Sequence, residues 1–275
     1  MAERRFNPLP GFGLTLGFTV CYLSLVLALP LAALALRCLE ISWGEFWKLA
    51  FNARALAAYR LTFGASFVAA SINAIFGTLL AWVLARYEFP GRRFIDALVD
   101  FPFALPTAVA GLTLASLFSS EGWLGRWLVP RGIEGAYSVL GVVIALTFVG
   151  LPFSVRTLQP VLASLDRGVE EAAATLGAGR WRTVTQIIAP ALAPAVLTGF
   201  TLSFARAIGE YGSIVFISGN VPFETEIAPM LIVMRLEAYD YTGAVALAVV
   251  LMIISFVLLA SINGLERWAR RFEET

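Results

Sequence analysis

The sequence contains no histidine, a single lysine and two cysteines among its 275 residues. It therefore lacks the commonest general base and the commonest metal ligand. Cys21 and Cys38 flank one apolar run, too far apart on a helix to bridge each other, which favours packing over redox or metal roles. The lysine, Lys48, has no Gly-Lys-Ser/Thr setting, so the chain cannot bind ATP through a Walker A loop. We expect no enzyme activity, no catalytic residue, no metal and no bound cofactor.

Charge is also scarce. Only 14% of the residues are charged and 59% are hydrophobic, whereas soluble domains carry roughly 25% charged residues. The net charge of +1 provides no basic patch for nucleic acid. The composition predicts an integral membrane protein, with lipid as its surroundings and no nucleic-acid partner.

Long charge-free runs are what the sequence has instead. A hydrocarbon core of about 30 Å needs about 20 apolar helical residues, and only helices or closed barrels satisfy the backbone in lipid. Five runs reach this length, and a sixth does so if it continues past Arg206 and Glu210. The predicted transmembrane helices are residues 14–36, 61–85, 101–120, 135–155, 183–223 and 241–265.

The positive charges between these runs predict an orientation. With both termini in the cytoplasm, the inner segments hold 12 Lys and Arg residues and the outer segments hold 7, as the positive-inside rule favours. We read the chain as an N-terminal part, residues 1–58, with a cytoplasmic tail, an uncleaved first helix and an outer loop. A membrane domain follows at residues 59–263, and residues 264–275 form a second cytoplasmic tail.

Two ridges of mostly small residues predict close helix packing. One comprises Ala65, Ala69, Asn73 and Gly77, and the other comprises Thr107, Gly111 and Ala115. Small residues at this spacing let membrane helices approach closely. Pro102 and Pro106 are expected to bend the start of the third helix, and Pro152 the fourth.

The loop after the fourth helix, "LASLDRGVEEAAATLGAGRWRTVTQIIAP", covers residues 162–190. Its apolar residues recur at helical spacing. Asp166 is placed to cap a helix, and Gly177 to end it in a left-handed conformation. A second short helix is predicted from Arg180 to about Ala189. An amphipathic helix on the membrane surface is one reading, although such helices are usually basic; a docking element for a soluble partner is the other.

This loop resembles the "EAA" loop of ABC importer permeases. The shared pattern is Glu-Ala-Ala, three residues, Gly, nine residues, Ile, two residues and Pro, with Ala189 where the family usually has Leu. The resemblance implies an all-α, multi-pass protein of the cell inner (plasma) membrane with a type I ABC importer permease fold. In this fold the loop couples to cytoplasmic ATPase subunits that use ATP and Mg. The implied coupling residues are Glu171, Ala172, Ala173, Gly177, Ile187 and Pro190.

The resemblance extends over residues 59–263. The stretches "ARYEFPGRRFIDALVDFPFALPTAVAGLTLA", "FARAIGEYGSIVFISGN" and "VPFETEIAP" are similar to permeases of sulfate/thiosulfate importers, in particular the T (or U) subunit. This implies translocation of sulfate or thiosulfate, a second similar permease subunit and a periplasmic sulfate-binding protein. Molybdate or tungstate permeases share part of the pattern and remain an alternative. A secondary anion carrier or channel is the alternative from another class, but no internal repeat favours it.

Two charges inside the predicted fifth helix require an explanation. A charge at mid-bilayer is unfavourable by roughly 2.5–3.5 kcal/mol, so Arg206 and Glu210 are expected to have partners. Residues four apart share one helix face, so they can pair with each other. The pair is either structural or lines the translocation pathway, where Arg206 would attract a dianion and Glu210 would limit its residence.

The segment after this helix is expected to lie outside the membrane. Ser218-Gly219-Asn220 predicts a turn, and the segment up to residue 240 has a net charge of −3. The resemblance implies that this segment contacts the periplasmic binding protein. The alternative is a plain exposed loop with a partly buried middle.

Overall fold

The computed structural model describes residues 11–271, apart from the side chains of residues 167 and 265–271. Every regular element in this part is helical. The predicted tail segments 1–10, with Arg4 and Arg5, and 272–275 lie outside the described residues. The side chains of Arg267, Arg270 and Arg271 also lie outside them.

Thirteen helices follow one another along the described residues, with a 3-10 turn at Val129–Arg131 after the seventh. They are α1 (Phe12–Leu39), α2 (Trp43–Ala50), α3 (Ala53–Arg86), α4 (Arg92–Val99), α5 (Phe101–Ala104), α6 (Thr107–Phe118), α7 (Gly125–Leu128), α8 (Val139–Ser164), α9 (Arg167–Thr175), α10 (Arg180–Ile208), α11 (Ile214–Ile217), α12 (Ala228–Glu237) and α13 (Tyr241–Arg271).

Five of these helices are long and apolar enough to cross a membrane. They are α1, α3, α8, α10 and α13, the last over Tyr241–Gly264. The predicted third span, residues 101–120, is not one helix: it consists of α5 and α6. The 12 residues of α6 extend about 18 Å at ~1.5 Å per residue, well short of a ~30 Å hydrocarbon core.

Prolines account for this interruption. Pro106 is the N-cap of α6, and Leu105 before it is extended at ψ 136°, because a residue that precedes proline is driven out of the helical region. The predicted bend is therefore a break. Gly111 in α6 lies directly against the backbone of Ser213, where an added Cβ would clash. The short helix is thus positioned by a backbone contact with the segment after α10.

The centre of the bundle is formed by α3, α8 and α10, which pack against one another. The predicted ridge on α3 is buried at all four of its positions, and Gly77 faces Ser154 of α8. The Asn73 amide donates hydrogen bonds to the Thr147 carbonyl at 3.1 Å and to Ser203 Oγ at 3.0 Å. The small residues allow the close approach, and Asn73 connects all three helices through polar contacts.

The remaining helices surround this centre. Helix α12 packs on α13 and α3, and α2 packs on α13 through Phe46 and Leu49. Helix α1 contacts α13 but buries none of its own residues. The surface of α1 is therefore left for lipid or for another chain.

Two helices contain a π-helical turn, Ser24–Ala28 in α1 and Val184–Ile188 in α10. In both, a proline follows two residues later: Pro30 and Pro190. Proline has no N–H to donate to the carbonyl four residues before it. A widened turn at that point is a usual way for a helix to change its hydrogen-bond register.

The predicted fifth helix ends earlier than expected. Helix α10 ends at Ile208, and a turn at residues 209–213 separates it from the four-residue helix α11. Glu210 is therefore in this turn and not in a continuous helix to residue 223. The predicted fourth helix, residues 135–155, instead continues to Ser164 with Pro152 and Pro160 inside it.

Candidate functional site

The loop that resembles the EAA motif forms a helical hairpin from α9 and the first turns of α10. Asp166 caps α9, accepting a hydrogen bond from the Gly168 N–H at 2.9 Å. Gly177 follows α9 with φ +82°. A Cβ on Gly177 would meet no atom within 4 Å, so this left-handed backbone, rather than space, calls for glycine. The predicted cap and the predicted helix end are both confirmed.

The hairpin exposes several of its predicted coupling residues. Glu171 and Ala172 are exposed, whereas Ala173 is buried at 7% exposure. The side chains of Leu176 and Trp181 are 88% and 80% exposed. Apolar groups this exposed on a polar hairpin are typical of a surface that another protein covers.

The other two predicted coupling residues lie where the hairpin enters the bundle. Ile187 is half-buried within the π-helical turn, and Pro190 is exposed just after it. The structure therefore places them apart from the exposed tip that carries Glu171 and Gly177.

An ion pair that the sequence analysis did not identify ties the hairpin to the bundle. Arg86, the last residue of α3, lies 2.8 Å from Glu170 through Nη2 and Oε1, and its guanidinium lies over the Trp82 ring at 5.6 Å from the centroid. The Arg86 side chain is 9% exposed, so the pair is partly shielded from solvent. Two features of the sequence could have indicated this pair. Arg86 ends a long apolar run, and Glu170 stands beside Glu171.

The predicted pair of Arg206 and Glu210 is formed, at 2.5 Å between Nη1 and Oε2. Glu210 is 2% exposed, and its other oxygen, Oε1, accepts hydrogen bonds from the Ser213 N–H and the Ser213 hydroxyl, both at 3.0 Å. The Arg206 side chain is 33% exposed. Glu210 is thus fixed inside the protein, and Arg206 is the more exposed member of the pair.

Two helices are interrupted, one between α5 and α6 and the other between α10 and α11. These two interrupted helices meet beside the pair. The Thr107 hydroxyl, at the start of α6, lies against Gly212, and Gly111 lies against Ser213. Both glycines are needed because a Cβ at either position would clash with the facing segment. The residue that holds Glu210, Ser213, is therefore positioned in turn by α6.

A second charged cluster lies where α4 and α5 meet α8. Arg156 donates to Asp96 at 2.7 Å and to Asp100 at 2.8 and 2.5 Å. The pKa of Asp96 is held below its usual value, first by the hydrogen bond from the Gln159 amide and then by Arg156. The sequence analysis missed this cluster, although Asp96 and Asp100 stand four residues apart, a spacing that shares a helix face.

The segment predicted to be an outer loop is largely a packed helix. Glu226, whose side chain is 1% exposed, accepts two hydrogen bonds of 2.7 Å from Arg54 at the start of α3. The Ala228 N–H donates to the Thr62 hydroxyl at 2.8 Å. The predicted turn is present, with Gly219 and Asn220 at φ +72° and +51°. The middle of the segment is buried, and only its ends are accessible.

No group of three or more potential metal ligands occurs in the part of the chain that the structure describes.

Comparison with known proteins identifies the family of this chain. The model of a family described as "Binding-protein-dependent transport system inner membrane component" matches residues 73–271. The "Sulfate transport system permease protein CysT" of Escherichia coli (strain K12) is 48% identical over 264 residues, 96% of this chain and 95% of that protein. A "Probable sulfate transport system permease protein cysT" of Nephroselmis olivacea is 50% identical over 254 residues, 92% of this chain and 89% of that protein.

Solved structures with a similar fold are ABC transporters. A chain of a bacterial alginate ABC transporter, in complex with an alginate pentasaccharide-bound periplasmic protein, has a TM-score of 0.75 at 19% identity and 92% coverage of both chains. A chain of the MetNI methionine ABC transporter in an inward-facing conformation has a TM-score of 0.59 at 17% identity, covering 83% of this chain and 99% of that one.

Proposed function

This chain belongs to the family of binding-protein-dependent transport system inner membrane components, and on that premise we propose that it is the membrane-spanning permease subunit of an ATP-driven sulfate importer. The observation that carries the proposal is identity near 50%, over at least 89% of both chains, to sulfate transport system permeases. The exposed EAA-type hairpin supplies the feature such a subunit needs in order to be driven by a separate ATPase.

The hairpin is proposed as the contact with a cytoplasmic ATPase subunit. Its tip presents the carboxylate of Glu171 and the apolar side chains of Leu176 and Trp181, a combination that fits a cleft in a soluble partner. Ala172, Ala173 and Gly177 shape the tip, and Ile187 and Pro190 join it to the membrane helix. ATP with Mg is used by the partner.

The topology is proposed to be that of a type I importer permease with six crossings. The segment formed by α5 and α6 then makes the third crossing, beside the five long apolar helices. An even number of crossings puts both termini on one side, and the arginine distribution favours the cytoplasm. A reporter fused after residue 275 that becomes accessible from outside the cell would contradict this orientation.

A second permease subunit is proposed to complete the translocation pathway. Arg206, partly exposed beside the meeting point of the two interrupted helices, would attract the sulfate dianion into this pathway. Glu210 neutralises part of that charge, so the anion is not held too tightly to be released. The alternative is that the Arg206–Glu210 pair is purely structural. In that case substrate does not need to contact Arg206.

Arg206→Gln separates these two roles. We expect it to lower sulfate uptake and substrate-stimulated ATP hydrolysis at least several-fold in the assembled transporter, with normal membrane insertion. Arg37→Gln is the control, because Arg37 is also an ion-paired arginine but pairs with Glu40 at the end of α1, away from the two interrupted helices. Normal uptake by Arg206→Gln would make the pair structural.

The accessible ends of the outer segment, residues 218–240, are proposed to contact a periplasmic sulfate-binding protein. The accessible residues beside the buried α12 include Val221, Phe223 and Tyr239. Together with Glu224 and Glu237, they give this side an acidic and aromatic surface.

The function is tested by uptake of radiolabelled sulfate into vesicles containing the chain and its partner subunits. Uptake should require ATP and the binding protein, and excess thiosulfate should compete better than molybdate. Preferential competition by molybdate would favour the molybdate or tungstate alternative. Uptake that persists without ATP hydrolysis would instead indicate a secondary carrier or channel.

A further inference from the structure

Contiguous cavities lie between the hairpin and the bundle. The first is an apolar groove of about 310 Å³ between α3 and α10, with Leu79, Leu192 and Val196 among its lining residues. The second, called the polar cavity, has a volume of about 590 Å³ and lies beneath the hairpin. It is lined by apolar groups and, unlike the groove, by several polar ones, including Tyr87, Arg180 and Thr183. The two share Trp82, Val184 and Ile188, so an apolar space opens directly into a polar one.

The groove is close to one leaflet of a membrane in length. Its lining on α10 extends from Val184 to Val196, about 18 Å at ~1.5 Å per residue. One leaflet of hydrocarbon is about 15 Å thick, half of a ~30 Å core. The groove is lined almost entirely by apolar atoms and faces outward from α3 and α10, two of the membrane-spanning helices.

The polar cavity lies at the end of those helices and offers a cation. Arg180 is exposed and forms no ion pair with any side chain that the structure describes. The hydroxyl groups of Tyr87 and Thr183 line the same cavity. Glu170 also lines it, but Glu170 is paired with Arg86 at 2.8 Å, so its negative charge is already compensated.

The π-helical turn explains why the two spaces connect. Val184 and Ile188, the first and last residues of that turn, line both cavities. A π-turn is wider than an α-helical turn and is often found at functional positions. Here the turn lies at the boundary between the apolar and the polar space.

We infer that this composite cavity binds a phospholipid, with one acyl chain in the apolar groove and the phosphodiester at Arg180. Arginine is well suited to phosphate because its planar guanidinium offers several donors. The bound lipid contacts the bundle at Leu79 and Leu192 and the hairpin at Ala174 and Ala178. It therefore holds the hairpin against the helices, a role that goes beyond the proposed transport of sulfate and does not depend on the substrate.

The test measures retained lipid on the intact transporter by native mass spectrometry. The probes are phosphatidylglycerol, phosphatidylethanolamine and diacylglycerol with identical acyl chains. We expect both phospholipids to be retained and diacylglycerol to be lost. Arg180→Gln, at the phosphate end, and Ala189→Trp, which fills the groove, should each lower phospholipid retention at least three-fold.

Two matched controls keep the test specific. Arg182→Gln removes an exposed arginine two residues away that bonds to Gln186 at 2.9 Å and does not line the cavities. Ala191→Trp adds the same bulk on α10 outside the groove. Both should retain lipid as the wild type does. Unchanged retention in Arg180→Gln and Ala189→Trp, equal retention of diacylglycerol, or full displacement by equimolar sn-glycerol 3-phosphate would each overturn the proposal.

Discussion

Replacing Gly150 with alanine should destabilise the centre of the bundle. A Cβ at position 150 would clash with Ser203 Oγ and come within 2.6 Å of the Asn73 amide nitrogen. Overpacking of this kind costs about 1–3 kcal/mol, and a disturbed membrane hydrogen bond adds about 0.6 kcal/mol on average. We therefore expect a loss of about 2–3 kcal/mol, which corresponds to a fall in Tm of roughly 3–5 °C for a chain of this size.

Thermal denaturation of the detergent-solubilised chain, followed by size-exclusion chromatography, measures this change. Gly64→Ala is the matched control, because a Cβ at Gly64 meets no atom within 4 Å. That substitution should be neutral or should stabilise α3 by up to about 1 kcal/mol. Ser203→Ala removes the hydroxyl that clashes, so the double variant should lose less than the sum of the single losses. A Gly150→Ala variant as stable as Gly64→Ala would refute the close approach of α8 to α3 and α10.

Three further outcomes are expected. Gly177→Ala should lower the stability of the folded chain by about 1 kcal/mol, because alanine is strained in a left-handed backbone conformation. It should also reduce ATPase stimulation without lowering expression. Gly179→Ala is the control, because Gly179 has φ −69°. Glu226→Gln should lower the Tm more than Glu224→Gln, since it leaves the Arg54 guanidinium without its charged partner. Equal effects on the Tm would contradict a stabilising role for the Arg54–Glu226 ion pair. Because the folded pKa of Asp96 is lowered, its stabilising contribution is complete above about pH 4 and is lost as the pH falls through the folded pKa. The Tm of Asp96→Asn should therefore lie below that of the wild type at pH 7, and this difference should shrink below pH 4. A difference that stays constant with pH would refute the stabilising role of the Asp96 carboxylate.

Hydrophobic length and small-residue spacing were sufficient to predict most of the architecture. Five of the six predicted spans correspond to long apolar helices, and the ridge from Ala65 to Gly77 is buried as expected. These features are local in the sequence, since each depends on a run or a repeat within one helix. The same holds for the hairpin, where Asp166 and Gly177 specify the two ends of α9.

The sequence did not predict the places where helices are interrupted or where distant charges meet. The break before α6 depends on Pro106 and on the backbone of Ser213, which is far away in the chain. The ion pairs of Arg86 with Glu170 and of Arg54 with Glu226 likewise join remote residues. A single sequence shows the charges but not their partners, so the burial of α12 could not be read from its composition.

The contact between the two interruptions has a mechanical consequence. Gly111 packs directly on the backbone of Ser213 and Gly212 packs on the Thr107 side chain, so α6 and the turn after α10 are in close contact. Tightly packed protein interiors transmit strain because they are hardly compressible. An axial displacement of α6 would therefore reach Ser213 undiminished and shift the carboxylate of Glu210 relative to Arg206. Motion of one short segment would thereby be converted into a change in the electrostatic field around Arg206.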